Sequence, residues 1–453
     1  MRDAGLSRIV VVGSGIAGLS CARALAKSGF EVEVVSPGSP GRDGASHRLH
    51  GMAPFILVAA PWLKGDSPER FAAELDRRGD GLRRPGLAEV LADEAHAASR
   101  ELMAWLDLRP IAAEPVRLPG EDFRRGMPCM PAHRGALMQP ALASCEAAGV
   151  RLQGRTLAIG LRRGGERVTG VVVVRAGSRE PESIPAAAVV LACGGPAGAF
   201  PVATGPRWCR GANLVLGELA GALLHHAGLL QALPLTLRPR GFFLTSKVLV
   251  AARLSVDGRQ VGHDGTLAGM LAVMREAARS SLGVTADLDP ATRELLPPAF
   301  PLDAIAPAGR SIPLAVGCHH GIGGVAIDSW GRTSAPGLYA CGEAAGGVQG
   351  RRRMMGTGLL EGFVFGQRVA TAIARDRQKA QDSGTTASAV LVPRRAPVIE
   401  PWLDRVTPRW LVDDPKVRLD VPVESVAPSG GFDEYLAAIR MRAVEIMAAA
   451  GRK

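Results

Sequence analysis

The chain is poor in aromatic side chains, 4% in all with only two tyrosines, and no basic-aromatic block interrupts it. Platforms that stack bases need aromatic faces, so the net charge of +11 reads as a solvated basic surface, and no nucleic-acid partner is expected. Paired cysteines are missing too. The seven present (Cys21, Cys129, Cys145, Cys193, Cys209, Cys318 and Cys341) are odd in number, scattered and without a CxxC, a pattern that offers no zinc, iron-sulfur or disulfide framework and suits a reducing cytoplasm. Long uninterrupted apolar runs are also absent. The most apolar stretch, 214–237, carries Glu218, His225, His226 and Pro234, so it is expected to be a core helix ending in a loop rather than a membrane span. The first buried strand is expected at 8–12, which leaves no room for an export signal. The histidine pairs His225-His226 and His319-His320 have no cysteine or carboxylate at ligand spacing, and no metal is expected.

What the sequence does hold is a globular composition, 47% hydrophobic with 56 glycines in 453 residues, long enough for two domains and for burying a large cofactor. Residues 8–35 read strand, glycine turn, amphipathic helix, strand, with Ile16, Leu19, Ala22 and Ala26 at helical spacing and Gly29 as the stop. Helices are expected at 87–106, 137–149, 207–228 and 432–450, and strands at 168–175 and 188–193. The proline-punctuated stretch after 235 suits a smaller inserted domain, and the polar stretch near 378–388 a linker.

Gly13-Ser14-Gly15-Ile16-Ala17-Gly18 is a GxGxxG turn between a buried strand and a helix. Its first glycine permits the tight turn, its second lets backbone approach a pyrophosphate, and its third allows close helix-to-sheet packing; the helix N-terminus adds N–H groups and a positive dipole end. The acid that binds a ribose hydroxyl is expected at the end of the second strand, yet Ser36 stands there. A serine hydroxyl can still serve, but the position does not choose between FAD and NAD.

Three later blocks do choose. The run Gly323-Gly324-Val325-Ala326-Ile327-Asp328-Ser329-Trp330-Gly331-Arg332-Thr333, then Gly337-Leu338-Tyr339-Ala340-Cys341-Gly342-Glu343, then Gly356-Thr357-Gly358-Leu359-Leu360-Glu361-Gly362 resembles the L-aspartate oxidase and fumarate reductase/succinate dehydrogenase flavoproteins. Leu191-Ala192-Cys193-Gly194-Gly195 resembles a further signature of that family, and the likeness covers roughly 8–375 with gaps. It implies an α/β protein: a Rossmann-like FAD-binding domain (1–234 and 319–380), a smaller inserted α+β capping domain (235–318), and a linker and tail with one helix (381–453). It implies FAD held by Gly13, Gly15, Ile16, Ala17, Gly18, Ser36, Ala192, Cys193, Gly194, Gly342, Glu343, Gly358, Leu359 and Leu360. Glu343 is implied to bind ribose or ribityl hydroxyls, and the glycine-rich helix start at Gly356 to Leu360 to stabilise negative charge on reduced flavin. Members that tether FAD do so through a histidine; Ala45 falls at that position here, with His47 two residues on, so non-covalent FAD is expected.

On the substrate side the likeness implies that His319, in an HxxxGG pattern, and Arg353, in a GANR-like block, grip a small carboxylate, the arginine fork orienting it bidentately. Two family positions are altered. Leu233 replaces a histidine, and Met270 stands where a proton-transferring arginine is usual, although Arg275 does match a further family arginine. Arg351 and Arg352 add charge, and Arg253 or Arg259 could substitute for the missing arginine. The expected function is an FAD-dependent oxidoreductase with an altered substrate, moving hydride between flavin N5 and a carbon beside a carboxylate; the alternative is an FAD-carrying relay or non-catalytic subunit. A partner subunit or homo-oligomer suits either reading.

Overall fold

A computed structural model describes residues 8–49, 55–118, 121–132, 137–178, 180–236, 242, 244, 248, 251–264, 266–280, 282–294, 296, 302–305, 311–382 and 432–450. The linker expected near 378–388 is instead the end of a helix as far as Asp382, and from 383 onward it lies outside the described residues.

The apolar run at the start of the chain forms the strand Arg8–Val12, buried from Ile9 to Val12 because it lies in the middle of a sheet with both faces covered. That sheet is wholly parallel, in the order Leu338–Ala340, Ala188–Leu191, Arg8–Val12, Glu31–Val35, Arg151–Gln153. The helix Ile16–Lys27 returns the chain between the first two strands and ends at Ser28 and Gly29, whose φ of +82° a side chain would resist. It packs against the long helix Gly358–Asp382, and the two come close because of glycine: a Cβ on Gly366 would overlap Ser20 Oγ. Strand ends from residues 12, 35, 191 and 340 therefore converge on one edge, where open α/β sheets place their ligands.

The second body is an antiparallel five-stranded sheet, ordered Leu230–Thr236, Ile312–Gly321, Val284–Asp287, Arg253–Val256, Arg259–Val261. The helix Leu267–Arg279 lays Met270, Met274 and Ala277 on it against Leu254, Ala286, Ile312 and Leu314. Its two longest strands run across residues 234 and 318, so the cap sheet itself carries His319 and His320 back to the nucleotide-binding body.

The stretch 207–237 corrects the helical expectation. Only Ala212–Leu219 is helix; Gly221, at φ +70°, turns the chain, Leu224–His225 is a short strand and Leu230–Thr236 a longer one. An apolar run alone cannot separate a buried helix from a buried strand, and Pro234 is tolerated because its strand lies at the sheet edge. The helix Phe432–Ala450 packs back onto the body, its Leu436, Ile439, Ala443, Ile446 and Met447 meeting Leu157, Ile159, Leu214 and Val215.

Candidate functional site

The nucleotide side is built mainly from backbone. Gly13 has φ +113°, and a Cβ there would overlap the Ala192 carbonyl; one on Gly18 would overlap the Gly13 carbonyl. These are cradles that only glycine leaves open. Gly13 N–H donates to Val35 O at 2.9 Å, tying the turn to the end of the second strand. Gly342 (φ +62°) would meet the Ala17 side chain at 2.7 Å if it carried a Cβ, and Gly194 has φ +74°. The structure thus brings together the turn at 13–18, the strand end at 192–194 and the turn at 342, as the sequence blocks implied for a nucleotide site. The Ile16 N–H donates to Ser46 Oγ at 3.1 Å.

At the end of the second strand, Ser36 is buried with Ser14 and Asp43. Ser14 Oγ lies 2.7 Å from Ser36 Oγ and 3.0 Å from Asp43 Oδ1, Ser36 Oγ donates to Asp43 Oδ2 at 2.5 Å, and Asp43 Oδ2 also accepts from Gly38 N–H at 2.9 Å. Sequence reading stopped at Ser36 and passed over Asp43. The available signal was that Asp43 is the only acid between Glu33 and Asp66.

The other side of the site is built from ionisable side chains, most of them half-buried. Arg353 Nη1 donates to Gln231 Oε1 at 3.3 Å, while its buried Nε has no hydrogen-bond partner. Burial pulls its pKa down, and Glu361 and Glu343 oppose that; a guanidinium remains charged through the ordinary pH range regardless. A Cβ on Gly358 would lie 2.7 Å from Arg353 Nη2, so a cation sits against the opening of a helix, where the dipole is unfavourable to it. Glu361, in that helix's first turn, offsets this. Glu361 is itself buried and pushed up by burial, and its Oε2 accepts from Gln349 Nε2 at 2.6 Å.

His319 Nδ1 stands 2.8 Å from Thr204 Oγ1, whose hydroxyl also reaches the His319 carbonyl oxygen at 3.1 Å. Burial, reinforced by Arg353, pushes the His319 pKa down to about 3, and the same causes hold His320 well below its usual value. Both rings are neutral at ordinary pH. The Thr204 hydroxyl can donate to Nδ1 or to the carbonyl, so it orients the ring in either tautomer. Glu343 faces His320, with Oε2 3.4 Å from Nδ1, and its Oε1 accepts from Gly321 N–H at 2.8 Å. Burial raises Glu343 to about 7.

His319, Arg353 and Glu343 therefore meet, together with Gln231, Thr204, His320 and Glu361, to which sequence reading gave no role. The structure also places the other positions that the sequence singled out. Met270 is buried within the cap core, and Leu233 is buried in its strand. Arg253, Arg259 and Arg275 are exposed, the first two on strands separated from the His319 strand by Val284–Asp287. Arg351 and Arg352 are exposed as well, Arg351 pairing with Asp80 at 2.8 Å, because their backbone is drawn out to Gly79 and Arg78. They add no charge to the pocket. Ala45 has no group that could tether a flavin, and His50 to Met52 lie outside the described residues. Among the described residues, no group of three or more His, Cys, Asp or Glu could hold a metal, and no helix is long and apolar enough to cross a membrane.

The model of the FAD binding domain family matches residues 8–259 and 267–359. The L-aspartate oxidase of Mycobacterium bovis is 31% identical over 86% of this chain and 77% of its own length. Among solved structures, Mycobacterium smegmatis Sdh1 in complex with UQ1 shares the fold with a TM-score of 0.72 and 21% identity, covering 86% of this chain and 71% of its own. E. coli quinol fumarate reductase FrdA does so at 0.64 and 19%, covering 83% and 73%. Glycine cradles at converging strand ends fit an FAD, and the chain belongs to the FAD binding domain family, with the L-aspartate oxidases among its relatives, as an FAD-dependent oxidoreductase.

Proposed function

We propose that this flavoenzyme moves a hydride between its FAD and a carbon next to a carboxylate of a small anionic substrate. The observation that carries the reading is Arg353: a half-buried guanidinium, braced on Gln231, whose buried Nε has no hydrogen-bond partner. A buried donor left unmade is costly unless a ligand completes it, and a planar fork fits a carboxylate bidentately. Relatives called L-aspartate oxidase and a fumarate reductase neighbour, both named for carboxylates, support that ligand class.

In this reading Gly13, Gly15, Ile16, Ala17 and Gly18 receive the diphosphate, Ser36, Ala192, Cys193, Gly194, Gly342 and Glu343 line the remainder of the nucleotide, and Gly358, Leu359 and Leu360 approach the flavin. FAD, held non-covalently, supplies hydride acceptance and donation. The protein's own work is to orient and to manage charge. Arg353 fixes the carboxylate and so the neighbouring carbon. Neutral His319, oriented by Thr204, presents an imidazole that can exchange a proton with the substrate rather than a second positive charge. Partial burial lowers the dielectric around the guanidinium, which strengthens the arginine's hold.

The test is an absorbance spectrum of the purified protein, followed by anaerobic mixing with aspartate, succinate and a panel of other small carboxylates while flavin bleaching is recorded. Bleaching by a carboxylate, lost in Arg353→Ala, is the expected result. Flavin that no carboxylate reduces, and that no unsaturated acid reoxidises once reduced, would overturn the reading in favour of an electron-relay subunit.

A further inference from the structure

We propose that Asp43 supplies the acid missing from the end of the second strand, acting through Ser36: it turns the Ser36 hydroxyl into a committed acceptor for a hydroxyl of the adenosine ribose of FAD. The inference rests on the reading that the glycine turn at 13–18 holds the adenosine half of the cofactor.

The argument is one of counting protons. A serine hydroxyl has one proton and two lone pairs. At Ser36 the proton is directed to Asp43 Oδ2, at 2.5 Å, the shortest bond of the cluster. Bonds from a hydroxyl to a carboxylate are short and strong, so Ser36 has no proton left to offer and its oxygen can only accept. A ribose hydroxyl has a proton to donate, and a strand-end carboxylate normally takes it. Ser36 polarised by Asp43 presents the same kind of partner from a shorter side chain. Ser14 is placed to adjust this. Its Oγ accepts from Gly41 N–H at 2.9 Å, and its own proton can go either to Asp43 Oδ1 at 3.0 Å or to Ser36 Oγ at 2.7 Å. When a ribose hydroxyl donates to Ser36, the Ser14 proton has an alternative acceptor in Asp43 and nothing is left unpaired.

The location is the second support. Ser14 belongs to the glycine turn itself, the turn is tied to the second strand through Gly13 N–H and Val35 O, and Ser14, Ser36 and Asp43 are all buried. A carboxylate needed only to close the loop at 37–44 could be satisfied by the Gly38 N–H. Using two further hydroxyls, one from the turn and one from the strand end, aims it at the place where the nucleotide enters.

The experiment titrates flavin-stripped protein with FAD and with FAD whose adenosine carries 2′-deoxyribose, reading flavin fluorescence, so no turnover is involved. The wild type is expected to prefer FAD by about tenfold or more, the range for a hydrogen bond to a charge-supported partner. Asp43→Asn and the milder Ser36→Ala should each bring that preference close to one. Ser36→Asp combined with Asp43→Asn should restore it by moving the acid to the strand end. Variants that keep the wild-type preference, whatever their absolute affinity, would overturn the proposal and leave Asp43 a loop brace. A wild type without preference would instead remove the underlying ribose reading, and the proposal with it.

Discussion

The two halves of the site are made of different material. The nucleotide half is chiefly backbone: glycines at positive φ, a helix N-terminus and the ends of parallel strands, with Asp43 and two serines at its margin. The other half is side chains: Arg353, two histidines and two glutamates, largely half-buried, each displaced from its ordinary pKa mainly by desolvation. Backbone can bind one cofactor without being charged, and its requirements are steric. A cluster of half-buried ionisable groups is held in balance by its own members, so removing one is felt by the rest.

That contrast is broken most severely at Arg353. Arg353→Met should lower substrate-dependent flavin reduction by on the order of a thousandfold, the scale of losing a preorganised charged donor, while leaving FAD content near one per chain. Stopped-flow bleaching beside the absorbance ratio of flavin to protein checks both parts. Loss of flavin along with activity would show that the halves are not separable. The complementary change is Gly13→Ala. A Cβ there meets the Ala192 backbone, which cannot swing aside, and φ +113° is strained for any L side chain. FAD affinity is expected to fall about a hundredfold, corresponding to roughly 2.7 kcal/mol, as read by fluorescence titration.

A smaller effect separates the histidines from the glutamates in the flavin-stripped protein. His319, near 6.5 when unfolded and about 3 when folded, binds a proton in the unfolded state first. Its contribution is present above about 6.5 and is lost as the pH falls toward 3, by at most ~1.4 kcal/mol per pH unit; His320 acts in the same direction. Glu343 does the opposite. Raised to about 7 by burial, it holds its proton longer in the folded state, so its contribution is present below its unfolded pKa, near 4.3, and lost as the pH rises through 7. Between about 4.5 and 6.5 the two trends partly cancel. His319→Gln removes one of them, and urea unfolding midpoints from pH 7 down to 4.5 should fall less steeply than in the wild type. An unchanged slope would mean that His319 is not held neutral by its surroundings.

This division also governs what could be read from the sequence. Gly13 to Gly18, the strand on either side and the blocks at 323–333, 337–343 and 356–362 are local, because backbone requirements are written in consecutive residues. The side-chain half is not local. Thr204 and His319 are 115 positions apart, and Gln231 and Arg353 are 122, so their meeting depends on the cap sheet carrying Ile312–Gly321 beside Leu230–Thr236. Arg351, Arg352 and Arg353 are alike in the sequence; only the third turns inward, because the backbone of the first two is hydrogen-bonded out to Gly79 and Arg78. Met270 shows the limit from the other direction. As an absent arginine it looks like a defect in the site, yet in the fold it is part of the cap's apolar core, a packing role that family likeness alone did not reveal.

The mildest test lies outside both halves, at Arg442, which makes paired contacts of 2.9 and 2.8 Å with Glu218 and a third of 2.8 Å with Glu445. These are the same kinds of group that meet at Arg353, but here side chains of Arg442 and Glu218 are 31% and 40% exposed. Water already solvates each charge, so forming the pair gains little, and the median for such bridges is within about 1 kcal/mol. Arg442→Ala should therefore lower stability by no more than about 1 kcal/mol, with salt weakening the wild-type advantage, and should leave flavin content and reduction rate untouched. Thermal unfolding at low and high salt measures it. A much larger loss would mean that the helix Phe432–Ala450 is anchored by charge rather than by Leu436, Ile439, Ala443 and Met447, whose burial against Leu214 and Val215 is what should hold it in place.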